Sequence, residues 1–154
     1  MDAIDLRLLE ALQRDGRATY TELAQLVGLS PPSVAERIKK LEEQGVIRSY
    51  TAILDAKRLS LDITAFIAVS LSHPKHDPAF FREISRWGEV LECHHVVGRE
   101  DYLLKIKVRD TSALEDLIMA RLRMLEGVTE TRTTIVLSTV KEGLALDLAH
   151  LNGH

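Results

Sequence analysis

Small and cationic side chains share one segment near the amino terminus. The stretch LSPPSVAERIKKLEEQGVI, residues 29–47, spaces Val34, Ile38 and Leu41 as one buried edge of an amphipathic helix. A helix that reads the DNA major groove needs short side chains near its N-terminus and cations that hold phosphates. The opposite edge meets both needs, and its candidate DNA contacts are Ser30, Pro32, Ser33, Glu36, Arg37, Lys39 and Lys40, with Arg48 just beyond.

The charged residues of this segment predict different contacts. Arg37 can make a bidentate contact with the O6 and N7 atoms of guanine, worth about 1–3 kcal/mol of discrimination between bases. Glu36 can accept a hydrogen bond from a cytosine amine, or it can orient Arg37 or Lys40. A solvated surface helix with mixed charges has the same pattern, so the spacing alone leaves both interpretations open.

The helices around this segment predict a helix-turn-helix. The first helix is expected before Gly16, and the second is expected to have Thr21 as its N-cap and to stop at Gly28. The third takes Ser30 as N-cap and Pro31 as its first residue. The short connection around Gly28 suits a helix-turn-helix. The following residues VIRSYTAILD alternate enough to predict a wing hairpin.

The second half of the chain changes to a pattern of strands and helices. Its order is β-α-β-β-α-β, which is the ferredoxin-like arrangement. The middle strands are expected to form a hairpin across the two residues Arg99 and Glu100, and Thr111 is the expected N-cap of the second helix. The predicted strands span residues 64–72, 89–98, 101–109 and 128–141, the helices span 77–88 and 111–127, and a short helix is expected in the tail.

Composition predicts a globular protein with mixed charge. The 154 residues carry a net charge of −3, while residues 1–58 contain nine Lys or Arg and nine Asp or Glu. A DNA-binding surface must therefore be local, and two copies in a dimer would bring enough positive charge together. The single Cys93 fits a reducing cytoplasm, and no apolar run approaches the roughly 20 residues that span a bilayer. We expect a cytoplasmic protein without a membrane partner.

The histidines and the cysteine do not predict a catalytic or metal centre. His94 and His95 are adjacent on a predicted strand, so their side chains point to opposite faces. His73 and His76 lack the further ligands of a four-ligand site at familiar spacing. Cys93 is expected to be a buried small side chain rather than a nucleophile. We therefore expect no catalytic residue, no metal and no cofactor.

Motifs in both halves resemble one family of regulators. The segments IDLRLLEALQRDGRATYTELAQLVGLS and LSPPSVAERIKKLEEQGVIRSYTAILD are similar to the DNA-binding half of the leucine-responsive/asparagine regulator (Lrp/AsnC) family. In the second half, VVGREDYLLKIKV resembles the Gly-x-x-Asp-Tyr-x-Leu hairpin of that family. The resemblance covers residues 2 to about 140. Pro31-Pro32 and Arg48-Ser49 depart from the family pattern.

The resemblance implies an α+β protein with two functional parts. A winged helix-turn-helix would occupy residues 1–51 and bind a double-stranded operator, expected to be palindromic. A linker at 52–62 would lead to a ferredoxin-like βαββαβ sandwich at 63–141, followed by a tail at 142–154. The sandwich would form homodimers, assemble further to an octamer, and bind an amino acid or a related small effector.

The resemblance also implies where the effector binds. The site would centre on the hairpin, where Gly98 permits a tight turn and Arg99 and Asp101 offer both signs of charge to an amino-acid head group. A plain β-turn capped by Asp101 is the structural alternative. The full expected set is Gly98, Arg99, Glu100, Asp101, Tyr102 and Leu103, with Leu122, Thr131 and Thr133 as weaker members.

Two other functions share this architecture. Sirohaem decarboxylase subunits resemble the same two-part chain, and histidines of the second half could then bind a tetrapyrrole propionate. A nucleoid-type protein that wraps DNA with little sequence preference is the other alternative. The small and cationic edge of the third helix favours a sequence-specific transcription regulator that responds to an effector.

Overall fold

Three helices form the amino-terminal part in the computed structural model, which describes residues 1–151. They are α1 (Ala3–Arg14), α2 (Tyr20–Val27) and α3 (Pro31–Glu43). Capping boxes start the first two helices, in which Asp2 pairs with the Asp5 backbone and Thr19 with the Glu22 backbone. The N-cap of α2 is therefore Thr19, and the expectation of Thr21 is wrong because Glu22 lies three residues after Thr19.

Apolar faces of the three helices meet in one core. The members at its centre are Leu8, Leu23, Ala24, Val27, Val34 and Ile38. Gly28 takes a left-handed conformation with φ of 75°, which ends α2 and allows the tight connection to α3. Ser30 caps α3 and Pro31 is its first residue, as the sequence predicts. The buried edge of α3 consists of Val34, Ile38 and Leu41, again as predicted.

The segment after α3 does not form the expected wing hairpin. Residues 46–55 contain no strand. Instead, the N–H groups of Val46 and Ile47 both donate to the Leu41 carbonyl, at 2.9 and 3.2 Å, and so close the end of α3. The Tyr50 hydroxyl donates to Glu42 at 2.9 Å. These local bonds tie the segment back to α3 and leave no pair of strands to form a wing.

Four antiparallel strands and two helices form the second part. The strands are β1 (Ile63–Leu71), β2 (Val90–His95), β3 (Tyr102–Val108) and β4 (Val128–Ile135), in the order β2-β3-β1-β4. The helices are α4 (Asp77–Ile84) and α5 (Thr111–Asp116), and α5 continues through a π-helical turn at Leu117–Arg121 and a 3-10 turn at Leu122–Met124. Short 3-10 turns also occur at Lys57–Leu59, Pro74–His76 and Ala149–Leu151. This is the predicted βαββαβ order.

Alternation along the strands decides which face of the sheet is buried. Alternate residues of β1 and β3 are buried among the apolar residues of α4 and α5, whereas their neighbours lie on the opposite face. The buried set comprises Ala65, Ile67, Val69, Phe80, Ile84, Tyr102, Leu104, Ile106, Val108, Leu114, Leu117 and Leu122. The core therefore lies between one face of the sheet and the two helices, and it positions the β2–β3 connection.

Two local predictions in this part are wrong. β2 ends at His95 and β3 begins at Tyr102, so residues 96–101 connect them rather than two residues. The loop closes because the Val96 N–H donates to the Asp101 carbonyl at 2.9 Å. Asp110, rather than Thr111, caps α5, since its carboxylate accepts from the Ala113 N–H at 2.8 Å.

The chain returns to its first part after β4. Residues 1–53 and the segment that begins at Lys141 form one compact unit, and Leu54–Val140 form the other. The expected tail helix is wrong for residues 141–148, which contain no helix, and only the 3-10 turn at Ala149–Leu151 is helical. Residues 152–154 of the predicted tail lie outside the described residues.

Gly127, at the start of β4, makes a close contact. Its φ is +90°, and a Cβ atom added there would lie 2.4 Å from Cγ of His76. The Gly127 carbonyl accepts from the Ser72 N–H at 2.8 Å, which joins this turn to the end of β1. Both the backbone conformation and the space therefore require glycine.

We predict that Gly127→Ala lowers the free energy of unfolding by about 2–4 kcal/mol, because strain at positive φ adds to the clash with His76. Urea denaturation of the full chain measures the loss. Gly88→Ala is the matched control, since no atom lies within 4 Å of its added Cβ and its φ is not positive. We expect less than about 0.5 kcal/mol there. Equal losses in the two variants would contradict the steric argument.

Candidate DNA-binding and effector sites

The start of α3 exposes small polar side chains. The Ser30 hydroxyl accepts from the Ser33 N–H at 3.3 Å, and the two hydroxyl oxygens lie 2.9 Å apart. Ser30, Pro32 and Ser33 are all exposed. Because none of these side chains is long, a flat polar surface can approach the backbone of the first helical turn closely.

Exposed cations follow on α3 and in the segment just after it. Lys39 pairs with Glu43 at 3.6 Å, with both side chains largely in solvent. Within residues 1–151, no ion pair joins Lys40 or Arg48 to an acidic group, and both are exposed. Glu36 is exposed as well. Lys40 and Arg48 can therefore meet an external phosphate without first giving up an internal partner.

Arg37 has a structural contact that the sequence analysis missed. One guanidinium nitrogen donates to the Asp2 carboxylate at 2.8 Å and to the Asp5 carboxylate at 2.7 Å, which fastens α3 to the start of α1. Only 14% of the Asp5 side chain and 32% of the Arg37 side chain are exposed. A contact between Arg37 and guanine stays a prediction, and it would have to use the other guanidinium nitrogens, Nη2 and Nε, or open this pair of bonds. The acidic capping box at residues 2–5 was the feature of the sequence that could have indicated a carboxylate partner for Arg37.

The same contacts change the acid–base behaviour of the pair. The Asp5 N–H, and then the Arg37 guanidinium, lower the pKa of Asp2 below its ordinary value. The two carboxylates raise the pKa of Arg37. Since the pKa of Asp2 is lower in the folded chain, its contribution to stability is present above the ordinary carboxyl pKa and is lost as pH falls through the lowered value.

The β2–β3 loop is fastened to the end of β1. The Asp101 N–H donates to the Val69 carbonyl at 3.0 Å, and Oδ2 of Asp101 accepts from the Leu71 N–H at 2.8 Å. Both bonds tie the loop to the end of β1. The Asp101 carboxylate thus holds the neighbouring strand, whereas the Asp101 backbone carbonyl closes the loop by accepting from the Val96 N–H.

Two ion pairs connect the loop to β4. Arg99 lies 3.7 Å from Glu130, and Glu100, only 13% exposed, pairs with Arg132. Along β4, Thr131 and Thr133 alternate with Glu130 and Arg132. Both threonines are half-buried. The structure therefore brings the predicted loop residues close to this part of β4.

Tyr102 is the first residue after the loop, and its side chain is buried in the core. It is buried against Phe80 and Phe81, with ring centroids 5.2 and 5.3 Å away, and stacks on His95 at 4.9 Å. Burial, followed by a hydrogen bond with Asp77, raises the pKa of Tyr102 to about 12. Leu122 is fully buried in the core, and Leu103 is half-buried on the other face of the sheet. Effector contacts by these residues stay predictions.

A cavity beside Tyr102 was absent from the sequence analysis. It measures about 310 Å³ and is lined by Phe81, Ile84, Ser85, Cys93, His95 and Tyr102. Cys93 and His95 share one face of β2, and Cys93 is exposed rather than buried as expected, because β2 is an edge strand. Burial by its neighbours nevertheless raises the pKa of the Cys93 thiol. Only packing between strand and helix could have indicated this cavity.

Histidines in this part have local partners. His73 accepts from the Lys75 N–H at 3.0 Å, and His94 lies 3.1 Å from Glu92. Across residues 1–151, no three His, Cys, Asp or Glu side chains are grouped to hold a metal ion. In that same range no helix is both long and apolar enough to cross a membrane.

Comparison with known proteins matches both parts of the chain. Residues 1–42 match the AsnC-type helix-turn-helix domain, and residues 64–146 match the Lrp/AsnC ligand binding domain. The chain belongs to the Lrp/AsnC family. Leucine-responsive regulatory proteins of Escherichia coli strain K12 and Salmonella typhimurium strain LT2 are each 40% identical over 144 residues, covering 92% of this chain and 88% of theirs.

Solved structures of Lrp/AsnC regulators share the whole fold. A transcriptional regulator of Neisseria meningitidis, solved in complex with L-Met, is 34% identical with a TM-score of 0.94 and covers 98% of this chain and 99% of its own. AsnC of E. coli is 27% identical with a TM-score of 0.88, covering 94% and 97%. The Lrp/AsnC chain is thus a DNA-binding transcription regulator with a ligand-binding domain, and it is not an enzyme.

We predict that Arg37 and Asp5 stabilise the fold together. In a double-mutant cycle with Arg37→Ala and Asp5→Ala, the coupling free energy of unfolding should reach about 1 kcal/mol, because the bond is charge-assisted and partly shielded from water. The control cycle uses Lys39 and Glu43, whose exposed side chains should couple by less than about 0.5 kcal/mol. An Arg37–Asp5 coupling no larger than the control would show that the contact does not fasten α3.

Proposed function

We propose that this Lrp/AsnC regulator binds specific operators and that an amino acid, or a related small molecule, alters its assembly or DNA binding. The observation that carries the proposal is the exposed first turn of α3 with the nearby cations Lys40 and Arg48, which form no ion pair within residues 1–151. The family supports a DNA partner and a ligand-binding domain. Sequence specificity and the identity of the effector are our inference. The proposed DNA contacts are Ser30, Pro32, Ser33, Glu36, Arg37, Lys39, Lys40 and Arg48.

Roles in DNA binding divide along α3. The small first turn approaches base edges, with Ser33 as the nearest side chain able to donate to or accept from a base. Lys40 and Arg48 neutralise phosphates, which fixes the position of the helix along the duplex. Arg37 serves first to hold α3 on α1, because one nitrogen of its guanidinium already donates to two carboxylates and fixes the position of the group. Base readout would therefore rest more on Ser33 and Glu36 than on Arg37.

Assembly supplies the charge that one chain lacks. The chain as a whole is acidic, with an isoelectric point of about 6.1. A homodimer presents two copies of α3 to two half-sites, so two local cationic surfaces act on one palindromic operator. We propose a homodimer that assembles further to an octamer in the cytoplasm, with the βαββαβ domain making the contacts between subunits. We keep the proposed bounds at 1–51, 52–62, 63–141 and 142–154.

The effector is proposed to bind at the β2–β3 loop. A free amino acid needs a carboxylate for its ammonium group and N–H donors or a cation for its own carboxylate. Asp101 and Arg99 offer these groups in a loop that β1 and β4 hold in place. The relative from N. meningitidis was solved with L-Met, and other relatives are named for leucine, which supports an apolar amino acid here. The proposed set is Gly98, Arg99, Glu100, Asp101, Tyr102, Leu103, Leu122, Thr131 and Thr133.

Regulation then follows from linkage between sites. An effector shifts the protein only if it binds one assembly or arrangement better than another. Footprinting distinguishes the proposal from DNA wrapping. A compact protected site with two-fold symmetry supports a regulator, whereas a regular ladder over unrelated DNA would contradict sequence-specific binding.

We predict that Lys40→Ala weakens DNA binding at every sequence tested. Each Lys40 that contacts a phosphate contributes about 1 to the slope of log affinity against log salt concentration. Its loss should reduce the magnitude of the slope by that amount. Fluorescence anisotropy with an operator duplex at several salt concentrations measures the slope. Lys57→Ala is the control, since Lys57 lies in the Lys57–Leu59 turn, outside the helix-turn-helix. An unchanged slope for Lys40→Ala would remove Lys40 from the interface.

We predict that Asp101→Asn abolishes the effector response and leaves the fold intact. The amide oxygen can still accept from the Leu71 N–H, but the charge that pairs with an ammonium group is gone. Thermal shift with L-leucine and with L-methionine measures binding, because a ligand that binds only the folded chain raises the melting temperature. Asp116→Asn, at the end of α5, is the control. A ligand shift as large as that of the wild-type chain would place the site elsewhere.

A further inference from the structure

The carboxyl-terminal segment makes a specific contact with α1. The side-chain amide of Gln13 accepts from the Leu146 N–H at 2.6 Å and donates to the Leu146 carbonyl at 3.1 Å. The two residues are 133 positions apart in the chain. One amide side chain thus pairs with both hydrogen-bonding groups of one backbone residue, which fixes the register of the segment on the helix.

The surroundings of this contact belong to the same unit. Gly143, Leu144 and Ala145 line a cavity together with Leu12, Gly16, Tyr50 and Ile53. The described part of the segment, from Lys141 onwards, therefore lies against α1 and the residues that follow α3. Residues 141–148 contain no helix or strand that would hold them in this conformation independently.

The path of the chain gives this contact a consequence. The chain leaves the helix-turn-helix unit after Ile53, forms the βαββαβ unit, and rejoins the first unit at Lys141. Only residues 136–140 separate the end of β4 from the returning segment. The DNA-binding unit is consequently joined to the ligand-binding unit by the covalent chain after Ile53 and by a second connection, which is noncovalent because it depends on docking of the returning segment through Gln13.

We propose that residues 141–148 act as a strap, docked on α1 by Gln13, that restricts the motion of the DNA-binding unit and couples it to β4. Docking removes conformational freedom that would otherwise be lost on DNA binding, so release of the strap weakens DNA affinity. It also weakens the effector response, because β4 then loses its noncovalent connection through residues 141–148 and reaches the helix-turn-helix only through the rest of the βαββαβ unit. This role rests on the proposed function, whereas the docking itself does not.

Amide hydrogen exchange in the full chain tests the docking without DNA or effector. In Gln13→Ala, the Leu146 amide should exchange on the order of fivefold faster, since its acceptor is lost. Gln25→Ala is the matched control, an exposed glutamine of α2 for which no side-chain hydrogen bond is recorded within residues 1–151. Exchange at Leu146 that stays at the wild-type rate in Gln13→Ala would overturn the strap.

DNA binding tests the coupling. We expect Gln13→Ala and a chain that ends at Val140 each to lower operator affinity about 3- to 10-fold. Gln13→Ala should add nothing in the shortened chain, because Gln13 acts only through the segment. If the shortened chain does not fold, Leu146→Pro, which removes the N–H donor, takes its place. Additive losses, or faster exchange with unchanged affinity and effector response, would overturn the coupling. A wild-type chain that fails to bind DNA would instead refute the proposed function.

Discussion

Strand β1 is the constraint on which the candidate effector site depends. It lies inside the sheet and is hydrogen-bonded to β3 on one edge and to β4 on the other. The end of β1 holds two separate features, since Val69 and Leu71 bind Asp101 and the next residue, Ser72, binds the Gly127 carbonyl. An edge strand could not do this, because only an inner strand has partners on both sides. The loop, the turn before β4 and the sheet register are therefore set together.

The register of β4 on β1 also decides which charged side chains lie beside the β2–β3 loop. β4 places Glu130 and Arg132 beside Arg99 and Glu100, so the loop's side chains are paired before any effector arrives. An amino acid bound at the proposed site would compete with these pairs for the same charged groups. Exchange of exposed pairs costs little, because solvent already screens them, whereas Glu100 is largely shielded. The geometry thus favours Arg99 and Asp101 as the groups that meet a ligand.

The DNA-binding part has a different arrangement of charge. The cation with the most specific geometry, Arg37, faces inward to two carboxylates, and the simpler cations Lys40 and Arg48 face outward. Charge that holds α3 in place is therefore separate from charge available for phosphates. The same acidic start of α1 that caps the helix also receives Arg37, so one pair of aspartates serves both local and tertiary structure.

Short-range patterns in the sequence were enough for the helix-turn-helix, the βαββαβ order and the buried edge of α3. Helix caps, apolar periodicity and glycine stops act between residues only a few positions apart, and those signals are visible in a linear chain. The wing, the two-residue turn and the tail helix were predicted by the same means and were wrong. In each case, bonds such as Tyr50 to Glu42 or Val96 to Asp101 replaced the expected local structure.

Contacts between distant residues were beyond such patterns. Arg37 with Asp5, Leu71 with Asp101, Arg132 with Glu100 and Gln13 with Leu146 join residues 30 to 133 positions apart. The inward cation Arg37 and the outward cation Lys40 lie only three positions apart on one helix. Which of them finds a carboxylate depends on how the helices pack, and that is settled only when the chain is folded. The amino-acid order thus determines the family, the elements and the candidate surfaces, while packing determines which charges on those surfaces remain free to bind.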